Sequence, residues 1–72
     1  IDLLLDHRGQ LIPMEIKSSR TINSNFFDGL TYFQGVSGVS PYQSYLLYGG
    51  DEVQTRSKAK ILGWRHLGNI PL

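Results

Sequence analysis

The sequence has no cysteine, and only one methionine, one tryptophan and three prolines among its 72 residues. Without cysteine there is neither a disulfide framework nor a thiolate metal site, so secretion has no support and a reducing cytoplasm is compatible. No apolar run approaches the ~20 residues needed to cross a bilayer, and the start carries no signal-like pattern. A soluble, cytoplasmic chain with no membrane partner is therefore expected. Charge of one sign is scarce as well: seven Lys or Arg against six acids leave a net charge of +1. That is too little for a strong global field, so any grip on nucleic acid must come from local clusters. Neither a Gly-rich phosphate loop nor a Ser-His-Asp arrangement can be read. His7 and His66 have no second His or Cys at a metal-ligand spacing, and both are expected to be simply exposed.

Residues 1–72 read as one small domain, without repeats, low-complexity segments or linkers. A chain this short buries only roughly 60% of the surface its unfolded form exposes, so a homodimer or a partner segment is a natural source of extra stability. The first residues already belong to an apolar strand, which suggests a piece of a longer protein.

What is present is organised around Asp2-Leu3-Leu4-Leu5 and Ile12-Pro13-Met14-Glu15-Ile16-Lys17. The two runs are joined by His7-Arg8-Gly9-Gln10, a hairpin loop containing Gly. If Asp6 pairs with Leu11, Asp2 falls opposite Glu15. Side chains alternate between faces, so Asp2, Glu15 and Lys17 share one face while Leu3, Leu5, Ile12, Met14 and Ile16 share the other. Opposed residues sit ~4.5–5.5 Å apart at Cβ, where two carboxylates repel unless a proton or a cation lies between them. Mg²⁺ suits such a place because it takes a few carboxylate oxygens and keeps several waters. Spacing alone reads first as something blander, a solvated sheet face on which Lys17 offsets two acids, worth at most about 1 kcal/mol.

Further along, Ser18 to Asn25 is polar and rich in capping residues, with Asn23 or Ser24 as the expected helix cap. Phe26, Phe27, Leu30 and Phe33 form a helical stripe, and a helix over about Asn25–Val36 is expected, ended by Gly35, Gly38 and Ser40-Pro41. This stripe is expected to bury against the oily hairpin face, with Gln34 opposite it and facing solvent. Gly29 weakens the helix slightly. Tyr42 to Tyr48 reads as a third strand, parallel to the Glu15 strand. Gln54 to Ser57 is loop or ragged edge strand, and Ala59 to Trp64 a final strand. The fold class is thus α/β: a small mixed sheet opened by an antiparallel hairpin, with one main helix packed on it. Arg56, Lys58, Lys60, Arg65 and His66 give the last quarter a basic bias that could track phosphates, although an ordinary surface is the simpler account. Tyr42, Tyr45 and Tyr48 are expected to be half-buried packing residues with wet hydroxyls.

An Asp, a gap, and Glu-x-Lys on a second strand together resemble the PD-(D/E)XK nuclease superfamily. More narrowly, Ile1-Asp2-Leu3-Leu4-Leu5 followed by Ile12-Pro13-Met14-Glu15-Ile16-Lys17-Ser18 resembles the C-terminal nuclease-like domain of unknown function of prokaryotic AAA-type ATPases. The likeness continues weakly through the Phe-rich stretch to Gly68-Asn69-Ile70-Pro71-Leu72. It implies a restriction-endonuclease-like core, here lacking its first helix, in which Asp2, Glu15 and the Ile16 carbonyl hold Mg²⁺ or Mn²⁺. Lys17 would orient or deprotonate a water, or neutralise developing charge. In some relatives a Gln on the next helix assists; Gln34 is on the expected helix, but its position opposite the Phe stripe favours a solvent-facing role. The implied function is a Mg-dependent phosphodiesterase, with DNA as its partner and an ATPase domain in cis. The alternative is a catalytically inactive module that binds nucleic acid or mediates assembly of the same ATPase.

Overall fold

The computed structural model describes residues 1–69, the last of these by its backbone alone. The final three residues of the family likeness, Ile70-Pro71-Leu72, lie outside the described residues. The chain runs β1 (Leu3–His7), β2 (Gln10–Ile16), a 3₁₀ turn at Ser24–Phe27, α1 (Asp28–Ser37), a second 3₁₀ turn at Pro41–Gln43, β3 (Tyr45–Tyr48), β4 (Val53–Thr55), β5 (Lys60–Gly63) and a last 3₁₀ stretch, Trp64–Asn69. The five strands form one mixed sheet in the order β1-β2-β3-β5-β4. The expected small α/β fold with an antiparallel hairpin and one main helix is what the chain adopts.

The hairpin holds the expected register. Asp6 pairs with Leu11 and Leu3 with Met14, and the ladder runs one pair further, to His7 and Gln10. The connection is therefore only Arg8-Gly9, both at positive φ, which is the turn that matches the strand twist. Asp6 ties it down by accepting from the Gly9 N–H at 3.0 Å. A proline inside β2 is unusual, since it cannot donate to a ladder. The parallel pairing of β2 with β3 starts at Met14 opposite Tyr45, one residue past Pro13, so no β3 ladder bond is lost there.

β3 lies between β2 and β5, parallel to both, and β4 closes the far edge antiparallel to β5. Of the expected third strand only Tyr45–Tyr48 joins the sheet. Ser40-Pro41-Tyr42-Gln43 forms instead a capped turn in which the Ser40 and Gln43 side chains each bond the other's backbone. The helix likewise begins as a 3₁₀ turn capped by Asn23 and ends at Gly38, which takes the left-handed conformation at φ 77°.

The sheet buries both faces, and the helix is not on the expected one. Phe27 and Leu30 pack with Leu46, Tyr48, Ala59 and Ile61. Leu46 is in register with Glu15, so α1 lies over the face that carries the acids. The oily hairpin residues Ile12 and Met14 form a separate cluster on the other face with Tyr45, Leu47 and Leu62, joined by Leu5 and Ile16. The Trp64–Asn69 stretch contacts β3 and β5. The reason lies in β3 and β5: with no alternation of polar residues in Tyr45-Leu46-Leu47-Tyr48, both faces of the middle of the sheet need cover. The hairpin's own pattern could not reveal this.

Gln34 is also not solvent-facing. Its Nε2 donates to the Ser44 hydroxyl and to the Lys58 carbonyl, both at 2.8 Å. It thereby fastens the end of α1 to the start of β3 and to the β4–β5 connection. Gln34→Ala should lower stability by about 1–2 kcal/mol, the usual worth of such bonds. Urea unfolding measures it, and an unchanged midpoint would mean that these bonds contribute nothing.

Candidate functional site

Asp2, Glu15 and Lys17 meet at one end of the sheet. β2, β3 and β5 all run toward this end, and Asp2 reaches it from the opposite direction, just before antiparallel β1. Functional groups in α/β sheets gather at the carboxyl ends of parallel strands. Asp2 has left the regular ladder: its N–H bonds the Met14 carbonyl at 3.0 Å, and its Oδ2 accepts from the Ile16 N–H at 2.9 Å. The side chain thus replaces a strand partner for Ile16. Backbone N–H and C=O of one strand residue point the same way, so the Ile16 carbonyl is aimed at this same edge, beside Asp2.

Glu15 is 7% exposed. Its Oε2 lies 3.7 Å from Lys17 Nζ, and its Oε1 3.7 Å from the Ile1 nitrogen. The Lys17 ammonium sits 5.4 Å from the centre of the Phe26 ring, a cation–π contact that orients it. The first turn of α1 closes over the carboxylate: a Cβ at Gly29 would stand 2.9 Å from Glu15 Oε1. Gly29 is therefore a site residue that sequence reading reduced to a weak helix position. No local signal distinguishes a glycine that admits a neighbour from one that merely softens a helix.

Asp2 and Glu15 are shifted in opposite directions. Asp2 is held below the usual carboxylate range, first by the Ile16 N–H, then by its hydrogen bond with Glu15. Glu15 is pushed above it, first by burial, then by that hydrogen bond and by the negative charge of Asp2. Opposite shifts are the standard outcome for two acids sharing a site.

The donor set has two carboxylates and one backbone carbonyl. Among the described residues there is no group of three or more His, Cys, Asp or Glu that could hold a metal. Two carboxylates, a carbonyl and waters do suit Mg²⁺ or Mn²⁺, which rarely take an all-protein cage. Two carboxylates side by side, one of them buried so that its ionised form is disfavoured, are the electrostatic situation that a divalent cation relieves.

The other sequence candidates disperse. Lys58 lies over the Phe27 ring at 5.9 Å and Lys60 over the Tyr45 ring at 5.8 Å. These rings belong to clusters on opposite faces, so the basic run is not one phosphate track. Tyr45 and Tyr48 are fully buried rather than half-buried, whereas Tyr42 is 67% exposed. His7 and His66 are half-buried rather than exposed, and the His66 ring lies within hydrogen-bond distance, 3.1 Å, of the Asp51 carbonyl.

This is a small mixed α/β domain whose acids and lysine converge at one end of its sheet. The chain belongs to the family DUF4143, a domain of unknown function, whose model matches residues 1–67. No curated protein and no solved structure matches it. Among the described residues, no helix is long and apolar enough to cross a membrane.

Proposed function

We propose that this domain is a nuclease-like module of the PD-(D/E)XK class, joined in its parent protein to a prokaryotic AAA-type ATPase of the cytoplasm. Asp2, Glu15 and the Ile16 carbonyl are its Mg²⁺ or Mn²⁺ ligands, and DNA is its substrate. The observation that supports this most is the hairpin register, which places Asp2 beside Glu15 at the end of β2 from which Lys17 projects. The metal would supply a polarised water and neutralise charge on the phosphate. Ionised Asp2 anchors its side of the site through the Ile16 N–H. Glu15, held under Gly29, would supply the second carboxylate oxygen to the cation. Lys17, steadied over Phe26, offers N–H donors to an anionic oxygen.

A second reading is supported by a separate observation. Glu15 is nearly closed off by α1, and Leu3 and Leu4 on the edge strand β1 are each 43% exposed, as befits a module that binds a partner rather than one that cuts.

The two readings separate in a calorimetric titration of Mg²⁺ and Mn²⁺ into the full chain near neutral pH, beside Asp2→Asn. Asparagine can still accept from the Ile16 N–H, so the fold should hold. Saturable binding in the wild type, lost in Asp2→Asn at unchanged melting temperature, is the expected result. No binding at millimolar metal would leave the non-enzymatic module.

A further inference from the structure

A cavity of about 510 Å³ lies along the sheet, lined at the same end by Arg20, Thr21 and Ile22 after β2 and by Gly50 to Glu52 after β3, and toward the other end by Gln54 of β4 and Arg56 just beyond it. Its floor is the buried Tyr48, whose hydroxyl accepts from the Glu52 N–H at 3.0 Å. The cavity exists because two loops are stitched together. Gly49 N–H bonds the Ser19 carbonyl at 2.8 Å, and a Cβ at Gly49 would overlap the Ser18 carbonyl oxygen. No side chain other than hydrogen fits at that seam, so the two loops stay where Arg20 of one and the acids of the other face one space.

The charges in this space are not mutually spent. Asp51 pairs with Arg65, Nε to Oδ1 at 3.4 Å. Glu52 accepts from the Gln54 amide. Arg56 Nε donates to Gln54 Oε1 at 3.1 Å, which sets the plane of its guanidinium and leaves both terminal NH₂ groups unused by that bond. Among the described residues, neither Arg20 nor Arg56 is within ion-pair distance of a carboxylate. Two arginines without a carboxylate partner line one cavity, with Asp51 drawn off by Arg65 and Glu52 bonded to the Gln54 amide; guanidinium groups so placed can take a tetrahedral oxyanion in fork geometry.

We propose that this cavity is a phosphate-binding subsite in which Arg20 and Arg56 hold the anion. It goes beyond the metal site, because it needs neither Asp2 nor Glu15. The phosphate can belong to a free phosphate-bearing small molecule or to a nucleic-acid backbone. Arg20 is three residues from Lys17, so their Cα atoms lie within roughly 11 Å of each other, the span of a few backbone phosphates.

The test follows the Arg side-chain Nε–H resonances of the full chain during titration with sodium phosphate, then with a short single-stranded oligothymidylate, always with a chelator and against sodium chloride of equal ionic strength. Saturable shifts with phosphate are expected, with affinity falling about tenfold or more in each of Arg20→Gln and Arg56→Gln. Arg8→Gln, in the hairpin turn at the far end of the sheet, and Glu15→Gln should both leave it unchanged. Binding of phosphate but not the oligonucleotide assigns a small-molecule source; tighter binding of the oligonucleotide, lost in the same two variants, assigns a backbone. Absence of saturable binding to either probe, or binding that survives both substitutions, overturns the subsite. Because metal is excluded throughout, that failure is distinct from failure of the metal site.

Discussion

Replacing Leu46 by alanine is expected to lower the unfolding free energy by about 3–5 kcal/mol, the upper part of the range for a buried leucine. Leu46 is 0% exposed and sits on the middle strand, in register with Glu15 on one side and Ile61 on the other. Phe27 and Leu30 cover it from the helix. Its removal leaves a cavity bounded by two strands and a helix, none of which can close in without losing ladder bonds or the Gln34 anchor. A domain of this size has only about 4–11 kcal/mol to lose, at the usual stability per residue. The variant should therefore be substantially unfolded on mild warming. Val53→Ala, on the edge strand where the side chain is half exposed, should cost less than about 1 kcal/mol. Urea unfolding of the two side by side checks this. Equal midpoints would mean that the centre of the molecule is not at β3.

How much of this was legible in the sequence depends on the range of the interaction. The hairpin could be read because the alternation in Ile12 to Lys17 and the glycine-containing turn are local, and with strand period two they fix which residues oppose which. The meeting of Asp2 with Glu15 followed from that register. The side of the sheet that α1 covers could not be read from the hairpin. It is set by Tyr45-Leu46-Leu47-Tyr48 and the neighbouring Ile61-Leu62, apolar on both faces, which leave the helix free to choose either until the connections are counted. Taking the oily hairpin face as the docking face used one strand's pattern to decide a contact made mainly by two others. Gln34 was missed for a related reason. A polar residue off an apolar stripe reads as solvated, and its partners, Ser44 and the Lys58 carbonyl, lie ten and twenty-four residues away. Gly29 and Gly49 carry no side chain whose chemistry could announce that a neighbour's carboxylate or carbonyl occupies the space.

The helix's position over the acids also governs the second large effect, that of Glu15→Gln. A direct carboxylate ligand replaced by an amide should weaken Mg²⁺ or Mn²⁺ binding by at least ~100-fold, since even outer partners of a metal site account for 10–100-fold. The substitution should not unfold the domain, because it removes a buried carboxylate that folding disfavours. With its folded pKa above its unfolded one, Glu15 leaves the native state holding more protons than the unfolded state within that window. Wild-type stability should then fall as pH rises from the ordinary glutamate value to the raised one, and stay flat above it. Asp2 acts the other way and at lower pH: its contribution is present above the ordinary aspartate value and is lost as pH falls through its depressed one. Glu15→Gln should lack the first slope, so its stability relative to wild type rises across that window and then levels. Saturating Mg²⁺ should lift the wild type at neutral pH and leave the variant unmoved, because the cation offsets the charge of the Glu15 carboxylate beside Asp2 and the amide gives it nothing to offset. Thermal melts across pH, with and without Mg²⁺, read both effects together. Parallel pH profiles for the two proteins would show that Glu15 titrates normally, and that α1 lies over the carboxylate without burying its charge.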